Sequence, residues 1–145
     1  MTRQRLIPHH LKLNQPRLFL LRRWARIIEA EYERGVYLVG SALRNDNANP
    51  RDWDIRVPLT YAQFAARYAS RRQRDVMSGR DIALLWNDQY YGRTDDDRQI
   101  YWNWYHESTK VMKTAFRVHL GLNVDFHSCP PCEWRAWNGP YWRIS

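Results

Sequence analysis

The sequence predicts a small α/β (α+β) fold, a mixed β-sheet with helices packed on one side. Three short apolar stretches, at 36–39, 52–58 and 122–127, have the length and residue types of strands. The segments between them carry apolar residues at three-to-four spacing, the mark of amphipathic helices. With 145 residues, 44% of them apolar and 26% charged, the chain is long enough to bury one core.

The elements follow in order. Residues 1–15 read as a basic arm, and 16–145 as one domain with a helical insertion at about 60–119. Pro16 opens a helix on which Leu20, Leu21, Trp24, Ile27, Ile28 and Tyr32 form the apolar stripe. Gly35 is placed to end it. The strand at 36–39 comes next, then a polar loop at 46–51 marked by Asn49-Pro50. The second strand, 52–58, ends at Pro58.

Thr60 with Gln63 makes a capping box for a helix bearing Tyr61, Phe64, Ala65 and Tyr68 on one side. That helix runs into the basic group Arg71, Arg72 and Arg74. Residues 82–86 fit a strand or a short helix equally. Thr94 and the acids Asp95, Asp96 and Asp97 open a long helix. Ile100, Trp104, Val111, Ala115 and Val118 carry it to about His119, and Gly121 stops it. After the strand at 122–127, the aromatic C-terminal tail reads as packed and irregular, with one strand at 133–137.

The net charge of +8 favours a polyanionic partner, either nucleic acid, nucleoside triphosphate or an acidic protein. Arg3, Arg5, Arg71, Arg72 and Arg74 form a solvated basic surface, or, with the aromatics, a seat for single-stranded nucleic acid. No apolar run is long enough to span a bilayer, and two cysteines make no disulfide framework, so a cytoplasmic protein with no membrane contact is expected. The stretch His127-Ser128-Cys129-Pro130-Pro131-Cys132 has the two-residue cysteine gap of zinc and redox sites. Zinc needs four ligands and only three are near, so two free thiols at a turn are expected.

The chemistry concentrates in two of the strands. Side chains alternate along a strand, so Asp52, Asp54 and Arg56 share one face, while Trp53, Ile55 and Val57 share the apolar, core-facing one. Carboxylates are costly in an otherwise apolar strand, and this pair stands ~6.5 to 7 Å apart. Two hard cations ~3.5 to 4 Å apart fit such a pair if a third carboxylate closes the site. Asp125, between Val124 and Phe126, is that third acid if its strand lies beside the second. The turn Gly40-Ser41 lets backbone approach a ligand closely, and a helix starting at 41–44 would offer its free amides to a phosphate. Arg44 follows as a phosphate contact or a solvated arginine. Arg56 either contacts phosphate or pairs with Asp125.

Val39-Gly40-Ser41, then Asp52-Trp53-Asp54-Ile55, then Val124-Asp125-Phe126 resemble the pattern of the DNA polymerase beta-like nucleotidyltransferase superfamily. The resemblance covers 36–57 and 122–127. It implies that Asp52 and Asp54 bind Mg2+ (or Mn2+), with Asp125 holding the metal nearer the attacking group and serving as a general base. Gly40 and Ser41 would hold the triphosphate of an NTP substrate. The implied reaction moves an NMP to an acceptor hydroxyl on RNA, a partner protein or a small molecule, and releases pyrophosphate. Asp125 follows Asp54 by 71 residues (125 − 54), so helices are inserted, and little chain remains after it. The grip on base and acceptor therefore falls to the inserted helices, the aromatic tail or a second subunit. The alternative is a catalytically silent module of the same fold that binds nucleotide or RNA. A zinc-linked interaction protein is a third reading.

Overall fold

A computed structural model describes residues 15–43, 52–88 and 94–145. The basic arm at 1–14, Arg44 and the loop at 46–51 lie outside the described residues. The fold is the mixed α/β class that the sequence predicts. Four strands, β1 (Tyr37–Val39), β2 (Trp53–Pro58), β3 (Val124–Cys129) and β4 (Tyr141–Arg143), form a sheet in the order β3-β2-β1-β4. β1 is antiparallel to β2 and to β4, and β2 is parallel to β3.

The core lies on the face of Trp53, Ile55 and Val57, joined by Val124 and Phe126, all buried. Burying each such side chain stabilises the fold by roughly 1.5–3 kcal/mol. Helix α1 (Gln15–Tyr32) reaches this face through Tyr32, whose ring meets Phe126 at 5.7 Å. Helix α6 (Lys113–Leu120) reaches it through Phe116, 6.4 Å from Phe126. On α1, Leu21, Ala25, Ile28 and Tyr32 are buried, whereas Leu20 and Ile27, expected on the stripe, are exposed. The helix ends at Tyr32, and Glu33 takes the left-handed conformation (φ 56°) expected nearer Gly35.

Helix α2 (Tyr61–Tyr68) starts at the predicted capping box: Gln63 N donates to Thr60 Oγ1 at 3.0 Å, and Thr60 N donates to Gln63 Oε1 at 2.9 Å. It does not continue into the arginines. Ser70 and Gln73 make a second capping box, and the basic run forms its own helix, α3 (Arg71–Val76). The undecided segment is helical. In α4 (Gly79–Asp88), Ser78 accepts from Asp81 N, and Ile82 and Ala83 are buried.

The long helix from Thr94 contains a fault. α5 (Asp95–His106) passes through a π-helical segment, Glu107–Met112, before α6. A π turn takes one more residue than an α turn, so every later side chain is rotated around the axis. Val111 and Val118 are thereby 50% and 69% exposed, and Met112, Phe116 and Leu120 take the inward face instead. Gly121 ends α6 with φ 65°, as expected.

The tail, expected to be irregular, is largely regular. Residues 131–136 form helix α7 (Pro131–Ala136), not a strand, with Pro131 in its first turn. The strand is β4, which completes the sheet beside β1. Among the described residues, no helix is long and apolar enough to cross a membrane.

Candidate active site

The face of the sheet opposite the core carries the acids. β3 lies beside β2, with Asp54 opposite Asp125 and Arg56 opposite His127. β1 flanks β2 on its other side and sets Val39 opposite Asp54, so Gly40 arrives directly over the Asp54 carboxylate. A Cβ on Gly40 would stand 2.5 Å from Asp54 Oδ2, and Gly40 has φ 78°. Only glycine meets both conditions.

Asp54 is half-buried. Burial holds its carboxyl above the usual range, Arg56 opposes this, and Asp125 and Asp52 push it further up. Asp125 is the reverse. A hydrogen bond from His127 holds it well below the usual range, burial opposes this, and Arg56 adds to the lowering. The contacts are direct: His127 Nε2 lies 3.2 Å from Asp125 Oδ1, Arg56 Nη2 lies 3.3 Å from Asp125 Oδ2, and Arg56 Nη1 donates to Asp125 O at 2.9 Å. Of the two roles open to Arg56, pairing with Asp125 is the one present here.

Asp52 precedes β2 rather than opening it, and is exposed at the mouth of the site. The Asn123 side-chain amide donates to its carboxylate, and Trp53 N donates to Asn123 O at 3.0 Å. Ser41 lies in the four-residue 3-10 turn Gly40–Leu43. The described backbone ends with this turn, and Arg44 lies outside the described residues.

The structure thus brings Gly40, Asp54, Arg56 and Asp125 together and sets Asp52 at their edge. Among the described residues, no three His, Cys, Asp or Glu side chains converge closely enough to hold a metal ion as they stand. The donor type nevertheless fits a hard divalent cation, which takes carboxylate oxygens. The crowding of negative charge at Asp54 is the kind a cation relieves.

Two further side chains belong to this face: Asn123, which donates to Asp52, and Glu133 on α7, which is coupled to His127 and Arg56. Alternation along β3 does place Asn123 on the acid face. Glu133 carries no signal in the sequence, because its segment fits a strand by residue type. Neither cysteine is in a disulfide among the described residues; Cys129 is buried, its Sγ 3.9 Å from Val57 O, and Cys132 is partly buried. No family model, curated protein or solved structure matches this chain, so the site is read from its geometry alone.

Proposed function

We propose that this chain is a metal-dependent nucleotidyltransferase, moving an NMP from an NTP to an acceptor hydroxyl in the cytoplasm. The observation that carries the reading is the register of β2 on β3. Two acids far apart in sequence become direct neighbours, with Gly40 closed down on one of them. A structural ion pair needs one acid. Two adjacent acids on one sheet face, one of them pressed against Gly40, call for a cationic ligand, and a bound cation in turn draws an anionic one.

Asp52, Asp54 and Asp125 would hold Mg2+ or Mn2+, which when bound offsets charge developing on the α-phosphoryl group. The backbone at Gly40 and Ser41 would carry the triphosphate, and Arg56 stands within reach of the same face. The acceptor oxygen attacks the α-phosphorus in line, the bond to the β-phosphate breaks, and pyrophosphate leaves. The hydroxyl proton passes to Asp125 or to water. The acceptor is RNA, a partner protein or a small molecule, and the basic surface favours RNA.

One observation favours the silent binding module as a second reading. Asp125 is already satisfied by Arg56 and His127, so it holds its place without a cation. The test is label transfer from α-labelled NTPs, with Mg2+ or Mn2+, into mixed cellular RNA and protein. Label that appears with the wild type and is lost in Asp54→Asn supports transfer, and nuclease or protease sensitivity names the acceptor. Nucleotide binding that survives Asp54→Asn, with no label in either protein, supports the silent module.

A further inference from the structure

Beside the acids, further along the same sheet face, lies a cavity of about 250 Å3 lined by Arg56, Cys129, Glu133, Trp134, Ala136 and Trp137. It is smaller than the roughly 300–1,000 Å3 of sites for drug-sized ligands, which suits a single flat ring system. Two of its lining residues are tryptophans. Trp134 is braced by Tyr37 at 5.0 Å and Tyr141 at 6.0 Å, and Trp137 by a hydrogen bond from its ring N–H to Pro140 O at 3.3 Å. Braced indoles make stacking surfaces for flat heteroaromatic rings.

One polar atom there is out of balance. Glu133 Oε2 is buried and accepts no hydrogen bond among the described residues. Burial pushes its carboxyl up, while His127 and Arg56 act the other way. A buried acceptor without a donor costs about 1–3 kcal/mol, and a turn of the carboxyl toward the cavity, whose wall the Glu133 side chain already forms in part, would let it accept N–H groups from a ligand. An ionised carboxylate only accepts. Among nucleobases, guanine presents a ring N–H and an amino group side by side and can give both to one carboxylate. Adenine and cytosine place a ring acceptor beside their amino group, and uracil flanks its N–H with two carbonyls.

The sheet also sets the distance. Arg56, at the cavity wall, is two residues beyond Asp54 on the same strand face, a step of ~6.5 to 7 Å. That leaves room for a ribose and a phosphate between cavity and acids. We propose that this cavity is a base pocket for guanine, with Glu133 accepting from the ring N–H and the amino group and the two tryptophans walling the ring. The base assignment stands on the cavity. The direction of the phosphates, toward Gly40 and Asp54, rests on the nucleotidyl-transfer reading.

The test is binding of GMP, IMP, AMP, CMP and UMP to the full chain, read by tryptophan fluorescence and calorimetry. GMP is expected to bind tightest, and IMP, which lacks the amino group, about tenfold more weakly. Glu133→Gln should lose about tenfold in GMP affinity and bring GMP and IMP close together. The ranking on the wild-type chain needs no variant, so it stands even if the substitution impairs folding. AMP or CMP binding as tightly as GMP, an unchanged GMP-to-IMP ratio in Glu133→Gln, or no binding of any of the five would overturn the assignment. Transfer from all four NTPs alike, lost in Asp54→Asn, would sink the guanine pocket and leave the transfer reading intact. Selective GMP binding without any transfer would do the reverse.

Discussion

Gly40 sits so close to Asp54 that a methyl group on its Cα would stand 2.5 Å from the Asp54 carboxylate. Gly121 has a similar backbone, φ 65° against 78°, but nothing within 4 Å of such a methyl. The two glycines therefore separate backbone strain from collision with the site. Gly121→Ala should cost about 1–2 kcal/mol in denaturant unfolding, the strain of a left-handed residue alone. Gly40→Ala should cost more than that and should reduce label transfer at least about tenfold, because Asp54 must move. Equal effects on stability and transfer in the two variants would contradict the close packing.

The two central acids respond to pH with opposite signs in the metal-free protein. Asp54 is raised from an ordinary value of 3.8, chiefly by burial. A raised acid stabilises the fold below pH 3.8 and loses that contribution as pH climbs through its higher folded value. Asp54→Asn should therefore be more stable than wild type at pH 7 and lose the advantage on acidification. Asp125 is lowered from 3.8, chiefly by the hydrogen bond from His127. Its contribution is present above pH 3.8 and fades as pH falls toward its lower folded value. Asp125→Asn should be destabilised at pH 7, by less than about 1 kcal/mol, because the pair is half exposed. Unfolding midpoints from pH 3 to 8 check both signs.

Much of this site was legible in the sequence. Acids alternating with apolar residues betray themselves in a strand, and this picked out Asp54 and Asp125 before their register was known. Their pairing was not legible, since strand order depends on the helices between them. The π segment at Glu107–Met112 left no trace in composition, so Val111 and Val118 were assigned to the wrong face. Glu133 was missed for a related reason. Its segment reads as a strand by residue type, but Pro131 opens a helix there, with Pro130 extended before it. The two capping boxes, Thr60/Gln63 and Ser70/Gln73, are equally visible once the second is sought.

The π segment has its own use. It turns Glu107 inward, where Tyr32 O–H donates to the carboxylate and Arg67 Nε donates at 2.6 Å. The Arg67 guanidinium also lies 3.9 Å over the Tyr32 ring. These contacts join α1, α2 and the π segment behind the sheet, away from the acids. Glu107→Ala leaves two partly buried donors short of an acceptor and should cost about 2–3 kcal/mol in urea unfolding. Guanine-nucleotide binding at a temperature where the variant is folded should be kept. A change under about 0.5 kcal/mol would show that the network is dispensable.

Arg56 links the acids to the cavity and opposes a cation. Removing its charge in Arg56→Met frees one Asp125 oxygen and removes a repulsive neighbour. Mn2+ should then bind up to about fivefold more tightly, the factor that ~1 kcal/mol supplies. Label transfer should fall, because a positive charge on the face proposed to carry the phosphates is lost. Weaker Mn2+ binding, followed by electron paramagnetic resonance of the free ion, would mean that Arg56 organises Asp125 for the metal and does not compete with it.

The central claim is that the acids direct attack at the α-phosphorus. The most direct measurement is to offer the same NTP labelled on the α-phosphate and on the γ-phosphate, in parallel, to wild type and Asp54→Asn. Covalent label is expected from the α-position only, matched by pyrophosphate release, and neither is expected in the variant. Label from the γ-position would make the protein a phosphotransferase of another kind, and α-label that persists in Asp54→Asn would remove Asp54 from the chemistry.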